Sequence, residues 1–243
     1  MRHCFHVLPV VLLLTASAAS AQTTYRLGVR VGGNLATTSF KNYSEIIPDV
    51  KNSQTFSSIF AGQVGVVFEA ERGRFAFQPA LLFSQKGTLR KQLSTYTVAG
   101  TSYEIRREGE TTMRYNWIEM PLNFTYTLPG TTGLQVFAGP YAAVGVGGRA
   151  VSEVTNSTND PNQSVAVPTQ RYTNKIEYGS SNASPRFDAG VNFGLGYRKG
   201  PVQLQAGYGL GVINLYNNRV QSGVENGANR VFQLTGTYFL PLN

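Results

Sequence analysis

The sequence predicts an all-β fold: an eight-stranded antiparallel up-and-down transmembrane β-barrel with short periplasmic turns and long extracellular loops. Three observations indicate it. Apolar residues recur at every second position along eight segments, without helical periodicity. The connections between these segments alternate between short and long. The face opposite the apolar one is mostly Gly, Gln, Asn and Thr, and charged residues make up only 14% of the chain, against about a quarter in ordinary soluble proteins.

The first four predicted strands are Thr24–Leu35, Ser58–Ala70, Arg74–Lys86 and Met113–Leu128. The first contains YRLGVRVGG, in which Tyr, Leu and Val alternate with Arg and Gly. The second contains FAGQVGVVFEA, and the third contains FAFQPALLFSQK. The fourth contains IEMPLNFTYTL. Each has an apolar face and a polar or small-residue face, which is the pattern of a strand with two different environments.

The last four predicted strands are Leu134–Gly148, Arg186–Tyr197, Val202–Ile213 and Asn229–Leu242. The fifth contains LQVFAGPYAAVGVGG, and the sixth contains FDAGVNFGLGY. The seventh contains VQLQAGYGLGVI, and the eighth contains FQLTGTYFL. Glycine is frequent on the polar face of the fifth, sixth and seventh strands, and small residues there suit a narrow interior on which several strands converge.

The connections predict that the two ends of the barrel differ. Three are short, namely Glu71–Gly73, Pro129–Gly133 and Arg198–Gly200, and four are long, namely 36–56, 87–112, 149–185 and 215–227. Short turns at one end and long loops at the other are typical of outer-membrane barrels. Within the second long connection, KQLSTYTVAGTSYEIRRE has two alternating runs and predicts a hairpin that extends the third and fourth strands. The third, rich in Asn, Ser and Thr, predicts either a solvated loop or an adhesin or receptor surface.

The apolar face is expected to contact lipid. A soluble lipocalin-type barrel would place its apolar face inward and carry many Lys, Glu and Asp residues outside, whereas charges are few on either face here. Six aromatic residues share the apolar face near the short-turn end and predict a periplasmic interfacial girdle. They are Tyr25, Phe68, Phe75, Tyr126, Tyr197 and Tyr238.

Seven charged residues occupy the alternate strand positions that are expected to face the lumen, and they predict an interior ion-pair network. They are Arg26, Arg30, Glu69, Arg74, Glu119, Arg186 and Asp188. Interior charges need partners because an unpaired buried charge is costly. At the short-turn end we expect the Glu69 carboxylate to lie between the guanidiniums of Arg26 and Arg74. The alternative is a small anion-preferring pore, although an eight-stranded barrel has an interior that side chains fill.

The N-terminal segment MRHCFHVLPVVLLLTASAASAQ predicts an export signal, with cleavage after Ala21. The expected domains are therefore a signal peptide at residues 1–21 and a barrel at residues 22–243. The only cysteine and both histidines of the chain lie in this signal, so we expect no disulfide, no metal site and no cofactor in the barrel. Catalysis would have to use Ser58 or Ser84 with Glu119 and without histidine, so we do not expect the protein to be an enzyme.

Several quoted stretches resemble the PorT-type family of bacterial outer-membrane β-barrels. They are LGVRVGGNLA, FQPALLFSQKG, YNWIEMPLNFTYTL, VFAGPYAAVGVGG and FDAGVNFGLGY with LQAGYGLGVINL, and together they cover essentially all of the chain after the signal. The resemblance implies a small eight-stranded barrel in the outer membrane of a Gram-negative cell. It implies no catalytic residue, and some relatives assist protein secretion across that membrane.

These observations predict a non-enzymatic outer-membrane protein with a structural or surface-interaction role through its long loops. The alternatives are a small passive channel with a basic lumen and an accessory factor for secretion. The expected partners are outer-membrane lipid and lipopolysaccharide, the barrel-assembly machinery during insertion, and an unidentified protein at the loops. Nucleic acid is not expected, because the net charge of +8 is spread along an exported chain.

Overall fold

The computed structural model describes residues 22–39, 43–47, 50–160, 167–179, 184–215 and 227–241. The predicted signal peptide lies outside these residues. The described chain forms eleven strands, which are β1 (Thr24–Thr38), β2 (Tyr43–Ile47), β3 (Val50–Ser57), β4 (Ile59–Arg72), β5 (Phe75–Thr97), β6 (Glu104–Thr127), β7 (Leu134–Thr158), β8 (Val167–Lys175), β9 (Phe187–Lys199), β10 (Val202–Gly211) and β11 (Asn229–Pro241). In the described ranges, no helix is long and apolar enough to cross a bilayer.

Eight of these strands form a closed antiparallel ring. The order around it is β1, β4, β5, β6, β7, β9, β10 and β11. The ring closes where β1 pairs with β11, from Arg26 opposite Pro241 to Thr38 opposite Asn229. These eight strands correspond to the eight predicted from the sequence, so the prediction of an up-and-down barrel is confirmed. Closure satisfies the strand edges that an open sheet would leave unpaired.

The short connections lie at one end of the ring. The β4–β5 and β9–β10 turns contain Gly73 and Gly200 at φ 62° and 59°. A residue with a Cβ adopts this left-handed backbone only at a cost, so glycine suits these tight hairpins. We call this the short-turn end and the opposite one the long-loop end.

The long-loop end contains more strand than the sequence predicted. Strands β5, β6 and β7 continue beyond the barrel, and β2, β3 and β8 join them in the order β2-β3-β5-β6-β7-β8. We call this sheet the extension; it comprises β2, β3, β8, and the parts of β5, β6 and β7 at 89–97, 104–112 and 149–158. The predicted hairpin is confirmed, since pairing continues to Thr97 opposite Glu104.

The connection predicted as a loop over 149–185 contains strand, since its first part forms the end of β7 and β8 follows. The reason lies in the environment of these strands. Both faces of β8 and of the end of β7 meet water, so the sequence there lacks the apolar alternation that marks a strand with one buried or lipid-facing side. Backbone pairing does not require that alternation.

The two faces of the barrel have the predicted composition. The exterior carries exposed apolar residues such as Val191, Phe193, Leu195 and Leu204, whereas the lumen buries Gln, Asn and Thr side chains. Glu69 is fully buried in the lumen, so the predicted register of its strand is correct. A one-residue slip would have moved every side chain of β4 to the other face.

A β-bulge changes the facing of residues on β7. Trp117 of β6 lies opposite Gly145, but Asn116 lies opposite Gly147, so β7 contains one extra residue at Val146. Before the bulge the even-numbered residues of β7 face outward, and after it the odd-numbered residues do. Arg149 therefore lies on the exterior face of the extension, opposite Arg114 of β6.

Candidate functional site

A cluster of charges closes the lumen at the short-turn end. Arg26 NH1 lies 2.7 Å from Glu69 Oε1, and Arg198 NH1 lies 2.7 Å and 2.8 Å from the two oxygens of Glu69. Arg26 also pairs with Glu71, and Gln78 Nε2 donates to Glu69 Oε2 at 2.7 Å. Charge-assisted bonds from three donors satisfy the buried carboxylate. We call Arg26, Glu69, Glu71 and Arg198 the short-turn-end cluster.

The structure places two of the predicted lumenal charges outside the lumen and a third inside it, bonded to a hydroxyl. Arg74 is exposed beside the β4–β5 turn, and Arg198 of β9 supplies the second guanidinium on Glu69. Arg186 is exposed before the start of β9. Arg74 and Arg186 follow the alternation of the lumen-facing residues, but they lie beyond the ends of the barrel strands, where a long side chain reaches water. Arg30 is buried, and its Nε donates to Thr237 Oγ1 at 2.9 Å rather than to a carboxylate.

Side-chain amides fill the middle of the lumen. Gln63 Nε2 donates to Asn34 Oδ1 at 3.0 Å, and Asn34 Nδ2 donates to Ser84 Oγ at 3.3 Å. On the other side of the lumen, Gln203 Nε2 donates to Gln135 Oε1 at 2.7 Å. These bonds join strands across the interior and hold buried polar groups that would otherwise be unpaired.

A second cluster of charges lies toward the long-loop end. Lys86 Nζ lies 2.7 Å from Glu119 Oε2 and 3.3 Å from Asp188 Oδ2. Tyr141 and Asn229 also donate to Asp188 Oδ2, at 3.1 Å and 2.8 Å. We call Lys86, Glu119 and Asp188 the long-loop-end cluster. The structure thus brings together two predicted carboxylates around a lysine that was absent from the predicted network, although its inward parity on the third strand could have identified it.

A cap of large side chains lies above this cluster. Trp117 and Tyr115 of β6 pack with Leu215 and with Tyr178, whose ring centroid lies 5.6 Å from that of Trp117. Gly145 permits this approach, because a Cβ there would lie 2.4 Å from the Tyr178 ring. Burial raises the pKa of the Tyr178 hydroxyl, which stays protonated and donates to Gly147 O at 2.9 Å.

Within the described ranges, packed side chains fill the lumen between the two clusters. A cavity beside Arg30, Phe137 and Gln205 measures about 10 Å³, roughly the space of one water molecule. Phe137 faces inward and is buried, and this interior aromatic was not among the predicted lumenal residues. Packed side chains, two ion clusters and the cap therefore occupy the cross-section along which a solute would have to pass. Of the residues considered for catalysis, Ser84 bonds to Asn34 and Glu119 pairs with Lys86.

The six aromatic residues of the predicted girdle all belong to the exterior face near the short-turn end. Tyr25 stacks on Phe68 with ring centroids 5.9 Å apart, and Phe75 packs on Tyr126 at 4.7 Å. Tyr197 and Tyr238 are exposed on β9 and β11. Pairs across neighbouring strands present a continuous amphipathic surface, which is what an aromatic belt at a membrane interface requires.

The extension presents a charged surface on the side continuous with the barrel exterior. Lys91 pairs with Glu110 at 3.4 Å, Arg106 with Glu108 at 2.7 Å, and Arg171 with Glu153 at 3.6 Å. A groove of about 520 Å³ lies along this face and is lined by Lys91, Arg106, Glu108, Glu110, Glu153 and neighbouring polar residues. In the described part of the chain, no group of three or more Asp, Glu, His or Cys residues is arranged to hold a metal ion.

Comparisons with solved structures find barrels of low sequence identity. One is Ail, the attachment invasion locus protein of Yersinia pestis, in complex with the heparin analogue sucrose octasulfate. It is 7% identical to this chain with a TM-score of 0.38, and the match covers 89% of this chain and 99% of that one. Neisserial surface protein A is 13% identical with a TM-score of 0.31, covering 87% and 96%. OprG from Pseudomonas aeruginosa is 14% identical with a TM-score of 0.29, covering 88% and 95%.

No curated protein matches the sequence. A family model described as outer membrane protein beta-barrel domain matches residues 20–217. This range contains ten of the eleven strands and both faces of the barrel described above. The closed ring, the apolar exterior and the polar interior are the features that such a domain requires. The chain therefore belongs to the outer membrane protein β-barrel domain family.

Proposed function

We propose that the protein is a non-enzymatic surface-interaction protein that binds a protein partner through the extension. The observation that carries this proposal is the contrast between a filled lumen and a long paired sheet beyond it. Three barrel strands continue beyond the ring as a sheet with a groove of about 520 Å³. Protruding sheets with open edges bind partners by adding a strand.

Strand β8 offers such an edge. Among the described strands it pairs with β7 and with no other. Its residues from Pro168 to Lys175 are exposed, so one row of backbone N–H and C=O groups is open to a partner strand. The groove beside it carries charges of both signs, which would select a partner with complementary charges.

The test is cross-linking on intact cells, followed by purification of the full-length protein and identification of the attached proteins. Replacing 167–175 by a Gly/Ser segment of equal length removes the β8 edge and is expected to abolish the cross-linked partner. Replacing the exposed β5–β6 connection at 98–103 in the same way is the matched control and is expected to retain it. A partner that remains with both variants would contradict the proposed role of β8.

A passive channel predicts a measurable ion current, and the filled lumen supports the opposite expectation. Purified protein in a planar lipid bilayer should show no stable single-channel conductance. Reproducible conductance steps would favour the channel over the surface-interaction role. This measurement does not depend on identifying a partner.

The resemblance to PorT-type barrels supports a second candidate, an accessory role in protein secretion across the outer membrane. The quoted stretches fall on barrel strands in sequence order; YNWIEMPLNFTYTL, for example, lies in β6. Removing the protein from cells and measuring the amount of secreted protein in the medium tests this role. Unchanged secretion would leave the surface-interaction role as the supported one.

The proposal includes an orientation and a route. The short turns and the aromatic girdle would lie on the periplasmic side, the extension outside the cell, and residues 1–21 would be removed on export before the barrel-assembly machinery inserts the chain. Protease added to intact cells should then cut within 149–185 or 87–112 but not at Arg72 or Lys199, and N-terminal sequencing should begin at Gln22. Cleavage at Lys199 with the membrane sealed would invert the orientation.

A further inference from the structure

Three cations form a row across neighbouring strands where the barrel continues into the extension. Arg114 of β6 lies opposite Arg149 of β7, and Arg149 lies opposite Lys175 of β8. Residues directly opposite each other in an antiparallel pair project from the same face of the sheet. Arg114 continues the outward parity of Ile118 and Met120, so the whole row lies on the exterior face.

The carboxylates near this row are already paired with other cations. Glu110 pairs with Lys91, and Glu153 pairs with Arg171. Among the described residues, no ion pair joins Arg114, Arg149 or Lys175 to a carboxylate. A hydrogen bond fixes Arg114, whose NH1 donates to the backbone carbonyl of Phe60 at 2.8 Å. Like charges directly opposite each other destabilise a sheet, so folding by itself does not account for the row.

The row lies just beyond the apolar band of the barrel. Ile118 of that band precedes Arg114 on the way to the long-loop end by four residues, about 13 Å along the strand. The exposed side chains of Phe60 and Val146 lie beside the row. A cleft of about 230 Å³ opens on the same face and is lined by Arg114, Arg149 and Arg171 together with Glu110 and Glu153. Cations are thus placed where headgroups meet the hydrocarbon of a bilayer.

We propose that Arg114, Arg149 and Lys175 bind the phosphate groups of a lipid headgroup in the leaflet at the long-loop end. Guanidinium groups bind phosphate through paired N–H donors, and an ammonium adds a further charge-assisted bond. The acyl chains of the same lipid would pack on the apolar surface of Phe60 and Val146. A phosphorylated lipid neutralises the row, and juxtamembrane cations attract such headgroups. The inference depends on the membrane placement of the barrel and is independent of a partner at β8.

The experiment titrates the full-length protein, refolded in detergent, with bis-phosphorylated lipid A and with the same glycolipid after both phosphates are removed. Native mass spectrometry gives the bound fraction. For the Arg149→Gln/Lys175→Gln variant, the dissociation constant of the phosphorylated lipid should rise about tenfold or more, because two charged hydrogen-bond donors are lost. The dephosphorylated glycolipid should bind the wild-type protein as weakly as the phosphorylated one binds this variant.

Two variants control for charge and folding. Arg106→Gln/Arg107→Gln removes the same net charge eight residues from Arg114 along β6, and it should bind within about twofold of wild type because solvent screens charges at that distance. Arg149→Lys/Lys175→Arg keeps the charge and should largely retain binding. Equal affinity of wild type and Arg149→Gln/Lys175→Gln, or equal affinity for both glycolipids, would overturn the proposal. So would displacement of lipid A by inorganic phosphate at an equal phosphate concentration, since that would show a site for soluble anions.

Discussion

Lys86 and Lys91 lie five residues apart on β5 in two different environments. Lys86 lies in the lumen with 2% of its side chain exposed and contacts both Glu119 and Asp188. Lys91 lies in the extension with 59% of its side chain exposed and pairs with Glu110 alone at 3.4 Å. The first lysine holds the interior of the barrel together, and the second lies on a solvated surface. The surroundings of a charge, rather than its residue type, decide which role it has.

The same contrast applies to whole strands. In the barrel, β5, β6 and β7 have an apolar lipid-facing side and a polar lumenal side, whereas in the extension both sides carry polar or charged residues. Stability in the barrel comes from buried polar contacts and from an exterior matched to lipid. Stability in the extension comes mainly from backbone pairing. The same type of substitution should therefore lower the free energy of unfolding more in the barrel than in the extension.

The largest effect is expected for Lys86→Met. This change leaves the buried carboxylates of Glu119 and Asp188 facing each other without their cation, and breaking a buried pair in this way costs about 3–5 kcal/mol. The free energy of unfolding in urea, measured in phospholipid vesicles, gives the loss. A loss below about 1 kcal/mol, the range of an exposed pair, would contradict a stabilising role for the long-loop-end cluster.

Phe193→Arg should follow, because it places a charge at the lipid-facing midpoint of β9. The expected loss is about 2–4 kcal/mol. The matched control is Tyr172→Arg in the extension, since Tyr172 is 49% exposed and Phe193 is 45% exposed. The control should change the stability by less than about 0.5 kcal/mol, as surface substitutions usually do. If both variants lost the same free energy of unfolding in the vesicle assay, the exterior of the barrel and the surface of the extension would face the same medium. The lipid-facing placement of Phe193 would then be wrong.

Glu69→Gln should cost about 2–3 kcal/mol, somewhat less than breaking a fully buried pair, because the guanidiniums of Arg26 and Arg198 partly reach water. It leaves the guanidiniums of Arg26 and Arg198 sharing the carboxylate of Glu71, with which both already pair. The triple variant Arg26→Gln/Glu69→Gln/Arg198→Gln removes both guanidiniums together with Glu69 and should be more stable than Glu69→Gln alone. If the triple variant is the less stable of the two in urea unfolding, repulsion between the guanidiniums does not explain the loss.

Lys91→Met should have the smallest effect, within about 1 kcal/mol, because an exposed ion pair in high dielectric contributes little. The difference in unfolding free energy between this variant and wild type should shrink further as the salt concentration rises. If Lys91→Met lost as much unfolding free energy as Lys86→Met, ion pairs in the extension and in the lumen would contribute equally to stability. The contrast between the two lysines of β5 would then be wrong.

Local pattern was enough to predict the barrel strands and the facing of their residues. The alternation along β4 placed Glu69 inward, and the pairing of neighbouring strands β1 and β4 placed Arg26 beside it. These inferences succeed because the period of a strand and the pairing of consecutive strands depend on residues close in sequence. The short turns were recognisable for the same reason, since Gly73 and Gly200 supply the backbone conformation that a tight hairpin needs.

Contacts between distant strands were decided by the tertiary structure. Arg198 of β9 reaches Glu69 of β4 only because the ring closes and brings the two strands to opposite sides of one narrow lumen. The extra residue at Val146 turns Arg149 to the exterior, and nothing in the local alternation marks that bulge. Of the extension, the β5–β6 hairpin was predicted from its two alternating runs, whereas β2, β3, β8 and the end of β7 were missed because strands with water on both faces carry a weak periodic apolar signal. By itself the sequence determined which residues face lipid and which face the lumen, since that follows from a two-residue period. Closure of the ring decided which lumenal charges meet, because residues on distant strands come within reach only when the ring is complete.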